Sequence, residues 1–269
     1  MAAPPVILSI AGYDPSSGAG VTADIKTAAA HDCYAATCIT ALTVQSTQGV
    51  FGVQAVDPGL FGQMLKALAE DLEIAAVRIG MLGSGEVAEA VAEFLESRRP
   101  PNIVLDPVIR SSSGAGLLDE AGLEVVRKRL VTLSDVVTPN IHEAAMLVGT
   151  QPVADESHWA SAIPKIEGLA AALHGLGAKA VIVTGGHLRP PNDYLSYADG
   201  AESAVIVGEY VDSTSTHGTG CAYATALACQ LALGLDLPGA ARAAKQYVQR
   251  AIASAYPVGK GTGPINHFG

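Results

Sequence analysis

The stretch VILSIAGYDPSSGAGVTADIKTAAAH, from Val6 to His31, has the pattern of a strand, a glycine-rich turn and a helix in direct succession. Val6–Ala11 is short and apolar, which predicts a buried strand, and Val21–His31 is typical of a helix. The turn between them, Gly12–Gly20, matches neither a Walker loop nor GxGxxG. Its small residues would let a ligand approach the backbone closely. The alternative is a plain connecting turn, with Asp24 as a charge near the helix start.

The same alternation of short apolar runs and helical patterns continues along the chain. Further strands are predicted at Cys38–Val44, Ala76–Met81, Asn102–Val108, Val136–Thr138 and Ala180–Thr184, with an antiparallel pair at Tyr194–Ala198 and Ala204–Val211. Further helices are predicted at Pro58–Leu72, Glu86–Ser97, Ala121–Leu130, His142–Val148, Ile163–Leu176, Ala222–Leu235 and Gly239–Tyr256. This order predicts an α/β fold with a mainly parallel, doubly wound sheet. No linker or repeat interrupts it, and the loop Gln151–His158 is short, so we expect a single domain over residues 1–269.

Composition supports this fold class and excludes several partners. The 269 residues are 49% apolar and only 16% charged, against a typical value of about 25% charged, as expected when strands are buried on both faces. The net charge of −10 argues against a nucleic-acid or anionic-membrane surface, although a local basic pocket could hold phosphate. The apolar run Cys221–Leu235 is too short to span a membrane. No CxxC pair or signal peptide is evident, so a reducing cytoplasm is the expected location.

Polar residues follow two of the predicted strands. Asp106 stands at the end of one strand, where a carboxylate could hold Mg²⁺ or cap a turn. Asn140 and Glu143 follow the next, and their spacing fits either a helix capping box or a pair that faces a metal-bound triphosphate. Spacing alone does not separate these interpretations. His142, between them, is expected at the surface.

A second glycine turn opens the segment THGTGCAYATALA, Thr216 to Ala228. Gly218-Thr219-Gly220 followed by a helix would direct several backbone N–H groups and the helix dipole at one point, which suits a phosphoryl group. Cys221 falls in the first helical turn, so we expect its thiol pKa to be lowered. The alternative is a small Cys that fills a gap between helix and sheet. Lys260, between two glycines, could meet a phosphate or be a solvated lysine near the C-terminus.

The order of these motifs is more specific than any one of them. AGYDPSSGAGVTADIKT, TALTVQSTQGV, IGMLGS, VLDPV, TPNIHEA, VTGGHL, THGTGC and VGKGTGPINHF occur in this order from residue 11 to residue 268. In this order they resemble the hydroxymethylpyrimidine and phosphomethylpyrimidine kinases of thiamine biosynthesis, in the ribokinase-like superfamily. The resemblance implies a mostly parallel central sheet flanked by helices with a small lid at one edge, ATP with Mg²⁺, and a homodimer.

The resemblance also implies roles for individual residues. It places Gly12, Asp24, Gln45, Met81 and Val108 in the pyrimidine pocket, with Gln45 and Asp24 bonded to the aminopyrimidine edge and Met81 packed on the ring. It places Asp106, Asn140, Glu143 and Thr219 at ATP and the metal, with Asp106 and Glu143 as metal ligands. It makes Gly218, Gly220, Cys221 and Lys260 the anion hole, the catalytic position and the contact to the substrate phosphate.

This sequence departs from the family pattern at a few positions. Ser112 stands where a loop lysine is frequent, and Arg110 could compensate because a guanidinium also binds phosphate. Ser17 replaces a frequent glycine, and Ser46 a frequent asparagine. These changes concern phosphate handling and fine substrate preference.

Three functions follow as hypotheses. The first is ATP-dependent phosphorylation of 4-amino-5-hydroxymethyl-2-methylpyrimidine and then of its monophosphate. The second is a pyridoxal kinase, which shares the fold and can share the GTGC motif. The third is a non-catalytic pyrimidine-binding module, which would be favoured if the motifs had decayed.

Cys221 stands where sugar kinases of the superfamily carry Asp. A permanent carboxylate would repel a substrate that is already a phosphate monoester, which is largely ionised at neutral pH. A thiol can be neutral for one step and ionised for the other. The hypothesis is therefore that Cys221 is a partner of switchable charge in two successive phosphorylations.

Overall fold

The computed structural model describes residues 3–111, 114–150 and 157–269. Its strands are β1 Val6–Tyr13, β2 Tyr34–Ser46, β3 Gly49–Ala55, β4 Ile74–Ile79, β5 Ile103–Leu105, β6 Val136–Val137, β7 Ala180–Val183, β8 Asp193–Tyr197 and β9 Ala204–Ile206. Its helices are α1 Gly20–Ala30, α2 Pro58–Asp71, α3 Gly85–Arg98, α4 Glu120–Val125, α5 Val131–Leu133, α6 Ile141–Leu147, α7 Trp159–Gly175, α8 Thr219–Ala232 and α9 Leu237–Ala253. A π-helical segment, Val126–Leu130, joins α4 to α5.

The described strands form one nine-stranded sheet in the order β3-β2-β1-β4-β5-β6-β7-β8-β9. Pairing is parallel from β2 through β7 and antiparallel at β2–β3, β7–β8 and β8–β9. The predicted mainly parallel α/β sheet and the antiparallel pair near its end are therefore confirmed. The chain leaves β1 on one side to form β2 and returns on the other to form β4, so β1 lies at the switch point where such sheets bind ligands.

Helices cover both faces of the sheet, and alternate residues along each strand point into different cores. Ile7 belongs to the core shared with α1, α8 and α9, whereas its neighbour Leu8 belongs to the core on the other face, shared with α2, α3, α6 and α7. This two-sided burial accounts for the low charged fraction of the sequence. None of the described helices is long and apolar enough to cross a membrane.

The β2–β3 hairpin extends one edge of the sheet and corresponds to the expected small lid. The sequence pattern missed β3 because its seven residues include Gly49 and Gly52, which weaken the strand signal. Several apolar side chains of this hairpin are exposed to solvent, including Leu42, Val44 and Phe51.

The start of α2 follows ordinary capping chemistry. Asp57 Oδ1 accepts a hydrogen bond from Leu60 N at 2.8 Å, and α2 therefore begins at Pro58 as predicted. The predicted helix Ala121–Leu130 is instead divided between α4 and the π-helical segment. Residues 151–156 of the predicted loop Gln151–His158 lie outside the described residues.

Candidate active site

The carboxyl ends of the parallel strands lie along one edge of the sheet, called here the carboxyl edge. Asp106 directly follows β5, and Asn140 follows β6 after two residues. Both therefore lie at this edge, as the sequence pattern predicts. The turns that precede α1 and α8 meet at the same place.

The two glycine turns pack backbone against backbone. Gly218 has a φ of 82°, and a Cβ there would lie 1.8 Å from the carbonyl oxygen of Gly18. Gly20 has a φ of 58°, and its Cβ would lie 2.1 Å from the carbonyl oxygen of Gly12. Only glycine permits these approaches. A Cβ on Gly220 would meet no atom within 4 Å, so space remains beside the start of α8.

Asp14 organises the first turn and ties it to the second. Its carboxylate accepts hydrogen bonds from the backbone of Ser16 at 2.8 Å and Ala19 at 2.9 Å, and it lies 2.8 Å from His217 Nε2. Burial acts to raise the pKa of Asp14, but hydrogen bonds from His217 and Ser16 outweigh it and hold this pKa below its ordinary value. Sequence reasoning assigned no role to Asp14 or His217, although both stand in quoted motifs.

Four of the five residues expected in the pyrimidine pocket come together. Met81 belongs to a small apolar cluster with Ala41 and Leu117, on which Val50 and Val108 pack. A Cβ on Gly12 would lie 2.8 Å from Met81 Sδ, so Gly12 and Met81 are in close contact. Gln45 is the cross-strand partner of Val50 on the hairpin. An apolar cluster beside one amide is a typical setting for a flat polar heterocycle.

Asp24 is the exception. It is 0% exposed and accepts hydrogen bonds from Ser9 Oγ at 2.6 Å and Thr225 Oγ1 at 2.7 Å. Arg78 Nη1 lies 3.3 Å from the same carboxylate. The expectation that Asp24 bonds the aminopyrimidine edge does not agree with this placement, because its oxygens are covered and satisfied by protein donors. Asp24 instead forms a buried ion pair beneath the site.

Arg78 is a central residue that sequence reasoning missed. It is 0% exposed, and its Nη2 lies 2.6 Å from Asp106 Oδ2 while Nη1 pairs with Asp24. Its guanidinium also lies close enough to Cys221 for its charge to act on the thiol. Burial raises the pKa of Asp106 against the opposing effect of Arg78. The available signal was one arginine inside an otherwise apolar strand, where an unpaired charge would be very costly.

Cys221 corrects one expectation. Burial raises the pKa of its thiol to about 11, and the carboxylates of Asp106 and Asp24 add to this effect. Arg78 and the Gly20 N–H act in the opposite direction and do not compensate. The predicted lowering of this pKa is therefore wrong, because desolvation and two carboxylates outweigh the helix N-terminus. The free protein holds Cys221 as a neutral thiol at pH 7.

Asn140 and Glu143 form the capping box that their spacing allows. Asn140 Oδ1 accepts from the backbone N–H of Glu143 at 2.9 Å, and Glu143 Oε2 accepts from the backbone N–H of Asn140 at 2.9 Å. Burial raises the pKa of Glu143 to about 8, and the nearby Asp106 adds to this effect. Two carboxyl groups thus share one region of the carboxyl edge. Such a pair can accept a cation as well as cap a helix.

The C-terminal glycine segment, Gly259–Pro264, folds over the same end of the sheet. The backbone N–H groups of Lys260 and Gly261 each lie 3.2 Å from Thr47 Oγ1 in the turn between β2 and β3. His217 N donates to the carbonyl oxygen of Gly263 at 3.0 Å. The Lys260 side chain is exposed and lies on a segment that joins the lid to the second glycine turn.

The structure describes three of the four positions named for the departures from the family pattern, namely Ser17, Ser46 and Arg110. Ser17 adopts a φ of 61°, a left-handed conformation in which glycine is less strained. Ser46 ends β2 and pairs with Gly49. Arg110 is exposed and forms a bridge with Gly116, whereas Ser112 lies outside the described residues.

The chain is similar to known proteins over nearly its whole length. The family model described as phosphomethylpyrimidine kinase matches residues 14–266. The hydroxymethylpyrimidine/phosphomethylpyrimidine kinase of Streptomyces coelicolor is 39% identical over 265 residues, 98% of this chain and 94% of the relative. The thiamine biosynthesis bifunctional protein ThiED of Geobacter sulfurreducens is 40% identical over 97% of this chain, and the chain spans 52% of that relative's length.

Among solved structures, an ADP complex of Bacillus subtilis pyridoxal kinase superposes with a TM-score of 0.86. It is 28% identical, and the match covers 98% of this chain and 97% of that structure. The shared fold and the matched sequence together establish an enzyme of the kinase class. The chain belongs to the phosphomethylpyrimidine kinase family.

Proposed function

We propose that the protein transfers a phosphoryl group from Mg·ATP to the hydroxymethyl group of 4-amino-5-hydroxymethyl-2-methylpyrimidine, and then a second one to the resulting monophosphate, for thiamine biosynthesis. The observation that carries this proposal is the meeting of an amide-flanked apolar cluster with the second glycine turn at one edge of the sheet. Gln45, Met81 and Val108 lie on the acceptor side, and Gly218 and Cys221 mark the transfer point. All described strands belong to one sheet, which supports one kinase domain over residues 1–269.

ATP and Mg²⁺ fit the residues present. Mg²⁺ commonly binds through one or two carboxylates together with nucleotide phosphates, and Asp106 and Glu143 supply two carboxyl groups close enough to influence each other. Asn140 caps α6 and Thr219 is the first residue of α8, and both are proposed to contact the nucleotide phosphates. The metal would neutralise charge on the phosphates, while the chain positions the reactants. Positioning and charge neutralisation supply most of the rate in phosphoryl transfer.

A neutral thiol at Cys221 suits two different acceptors. The first acceptor is a primary alcohol, and the second is a phosphate monoester that is largely ionised at neutral pH. A thiol without charge does not repel the second acceptor. Lys260, exposed on the C-terminal glycine segment, is proposed to contact the phosphate that this second acceptor carries.

The alternative function is that of a pyridoxal kinase. It is favoured by one observation, the structural similarity to a pyridoxal kinase with a TM-score of 0.86. The placement of Gln45 beside the apolar cluster favours an aminopyrimidine instead, because an amide can both donate to and accept from the edge of that ring. The non-catalytic module is the weakest alternative, since Cys221, Glu143 and Lys260 are all present in their motifs.

The test is ADP release from Mg·ATP with three acceptors in parallel: hydroxymethylpyrimidine, its monophosphate and pyridoxal. Turnover of the first two with little on pyridoxal is the expected result. Turnover of pyridoxal alone would instead indicate a pyridoxal kinase. If no acceptor led to ADP release, the non-catalytic binding module would be favoured.

We also propose that the protein forms a homodimer and is located in the cytoplasm. The exposed apolar residues of the β2–β3 hairpin, with Val44 66% and Phe51 69% exposed, are proposed to form the dimer contact. Light scattering of the wild type should give twice the mass of one chain. The Phe51→Asp variant should give the mass of a single chain. The four cysteines are free thiols, in keeping with a reducing compartment.

A further inference from the structure

His217 contacts two polar side chains through the same ring nitrogen. Its Nε2 lies 2.8 Å from Asp14 Oδ2 and 3.2 Å from Gln45 Nε2. Asp14 belongs to the first glycine turn, and Gln45 lies on β2 beside the apolar cluster. The imidazole of His217 therefore links the first glycine turn to Gln45, the residue expected to hydrogen-bond the substrate ring.

The contact with Asp14 fixes where the proton of His217 lies. The Asp14 carboxylate already accepts from three backbone N–H groups of the turn, those of Ser16, Gly18 and Ala19, which favours its ionised form. An ionised carboxylate only accepts hydrogen bonds. His217 Nε2 must therefore carry a hydrogen and donate it to Asp14.

A protonated Nε2 determines which end of the Gln45 amide can face it. An amide NH₂ group opposite an N–H would place two donors against each other, whereas the amide oxygen can accept. The other end of the amide meets the same constraint. Thr43 Oγ1 lies 2.9 Å from the carbonyl oxygen of Tyr13 and 3.1 Å from Gln45 Oε1, but one hydroxyl has one hydrogen to donate. Exchanging the amide oxygen and nitrogen by a half-turn removes both conflicts. Thr43 then donates to the carbonyl oxygen of Tyr13 and accepts from Gln45, while the Gln45 oxygen shares the Nε2 hydrogen of His217 with Asp14 in a bifurcated hydrogen bond.

We propose that His217 is a specificity-determining positioning residue, which holds the Gln45 amide with its oxygen toward His217 and its nitrogen toward Thr43. One N–H and one oxygen lone pair of the Gln45 amide then remain for a ligand, and the positions of this donor and this acceptor are fixed. They match a ring nitrogen that accepts, next to an exocyclic amino group that donates. Pyridoxal carries a methyl group beside its ring nitrogen and offers no such edge. This inference rests on the proposed function.

The surroundings of His217 hold its ring in place. A Cβ on Gly18 would lie 2.2 Å from His217 Cδ2, so the missing side chain of Gly18 provides the space for the ring. The backbone N–H of His217 donates to Gly263 at 3.0 Å, and its side chain is only 16% exposed. Because the His217 ring is held in place, it can hold the Gln45 amide in one orientation.

The test combines kinetics with a double-mutant cycle. His217→Phe keeps an aromatic ring and removes the donor, so kcat/KM for hydroxymethylpyrimidine should fall on the order of 10- to 100-fold, mainly through KM. In a Gln45→Ala background the same change should cost less than about threefold, because His217 acts through Gln45. His217→Gln, which keeps a donor, should recover part of the loss. Equal losses in both backgrounds, or an equal rise in the KM for ATP, would overturn the proposal.

A second readout does not depend on turnover. The ¹⁵N NMR shifts of the His217 imidazole at pH 7.5 should show a protonated Nε2 in the ligand-free protein. An unprotonated Nε2 would overturn the amide orientation whatever the substrate. If the wild type does not phosphorylate hydroxymethylpyrimidine, the proposed function fails and the specificity role of His217 fails with it, while the NMR result still decides the orientation.

Discussion

Arg78 Nη2 lies 2.6 Å from Asp106 Oδ2, and the other terminal nitrogen of the same guanidinium pairs with Asp24. One buried cation thus holds two carboxylates that belong to different elements, α1 and the segment after β5. The three groups lie close enough to Cys221, in the first turn of α8, to influence its thiol. Burial and the two carboxylates keep the thiol neutral against the opposing effect of Arg78, and the ion pair with Arg78 makes Asp24 unavailable to a ligand.

The first prediction concerns this buried ion cluster. Arg78→Met leaves two buried carboxylates without their cation and should lower the free energy of unfolding by about 3–5 kcal/mol. Arg98→Met is the matched control, since Arg98 is half-exposed and pairs with Glu70 at 3.6 Å. It should change this energy by less than about 0.5 kcal/mol. Urea denaturation of both variants measures the difference, and equal effects would refute the role of Arg78.

The sequence predicted the parts of the site that depend on local pattern. The strand, turn and helix from Val6 to His31, Asp106 at a strand end and the Asn140–Glu143 spacing each need only neighbouring residues. The ion cluster could not be derived this way, because Arg78 is 54 residues from Asp24 and 28 from Asp106. The thiol pKa was predicted in the wrong direction for the same reason: a helix N-terminus is visible in the sequence, whereas burial beside two carboxylates is not.

Cys221 offers a second prediction. Cys221→Asp places a carboxylate where the monophosphate must approach, so the second phosphorylation should slow more than the first. Cys221→Ala removes the thiol without adding charge, so it is the matched control and should not slow the second phosphorylation selectively. Single-turnover assays with each acceptor measure both ratios. An Asp variant that accelerates the second step would contradict this account.

Lys260 is predicted to act on the phosphorylated acceptor. Lys260→Ala should raise the KM for the monophosphate on the order of tenfold, since a charge-assisted hydrogen bond contributes about 1.5–3 kcal/mol, and change the KM for the alcohol little. Lys66→Ala, on α2 with a side chain 69% exposed, is the control and should change neither. A uniform loss with both acceptors would instead assign Lys260 to the ATP side.

Glu143 allows capping and metal binding to be separated. Glu143→Gln keeps an acceptor for the Asn140 N–H, because glutamine also completes a capping box, but it removes a carboxylate. The half-saturating Mg²⁺ concentration should rise roughly tenfold or more. Glu167→Gln, at an exposed position of α7, should leave it unchanged. An unaltered Mg²⁺ requirement in Glu143→Gln would show that Glu143 only caps α6.

The pKa of Glu143 also predicts a pH dependence of stability. In the folded protein this pKa is raised to about 8 from the ordinary value of 4.5. Between these values the folded form holds a proton that the unfolded form releases. The free energy of unfolding of the wild type, measured relative to Glu143→Gln in EDTA, should therefore fall as pH rises from about 4.5 to 8. A difference that stays flat or rises across this range would contradict the shift.

One site is expected to phosphorylate the alcohol and then its monophosphate. The most direct measurement is ³¹P NMR of the isolated monophosphate incubated with the protein and Mg·ATP. We expect the paired signals of a diphosphate ester, formed together with one ADP per product and lost in Lys260→Ala at low acceptor concentration. An unchanged monophosphate signal under conditions where the same preparation phosphorylates the alcohol or pyridoxal would contradict it.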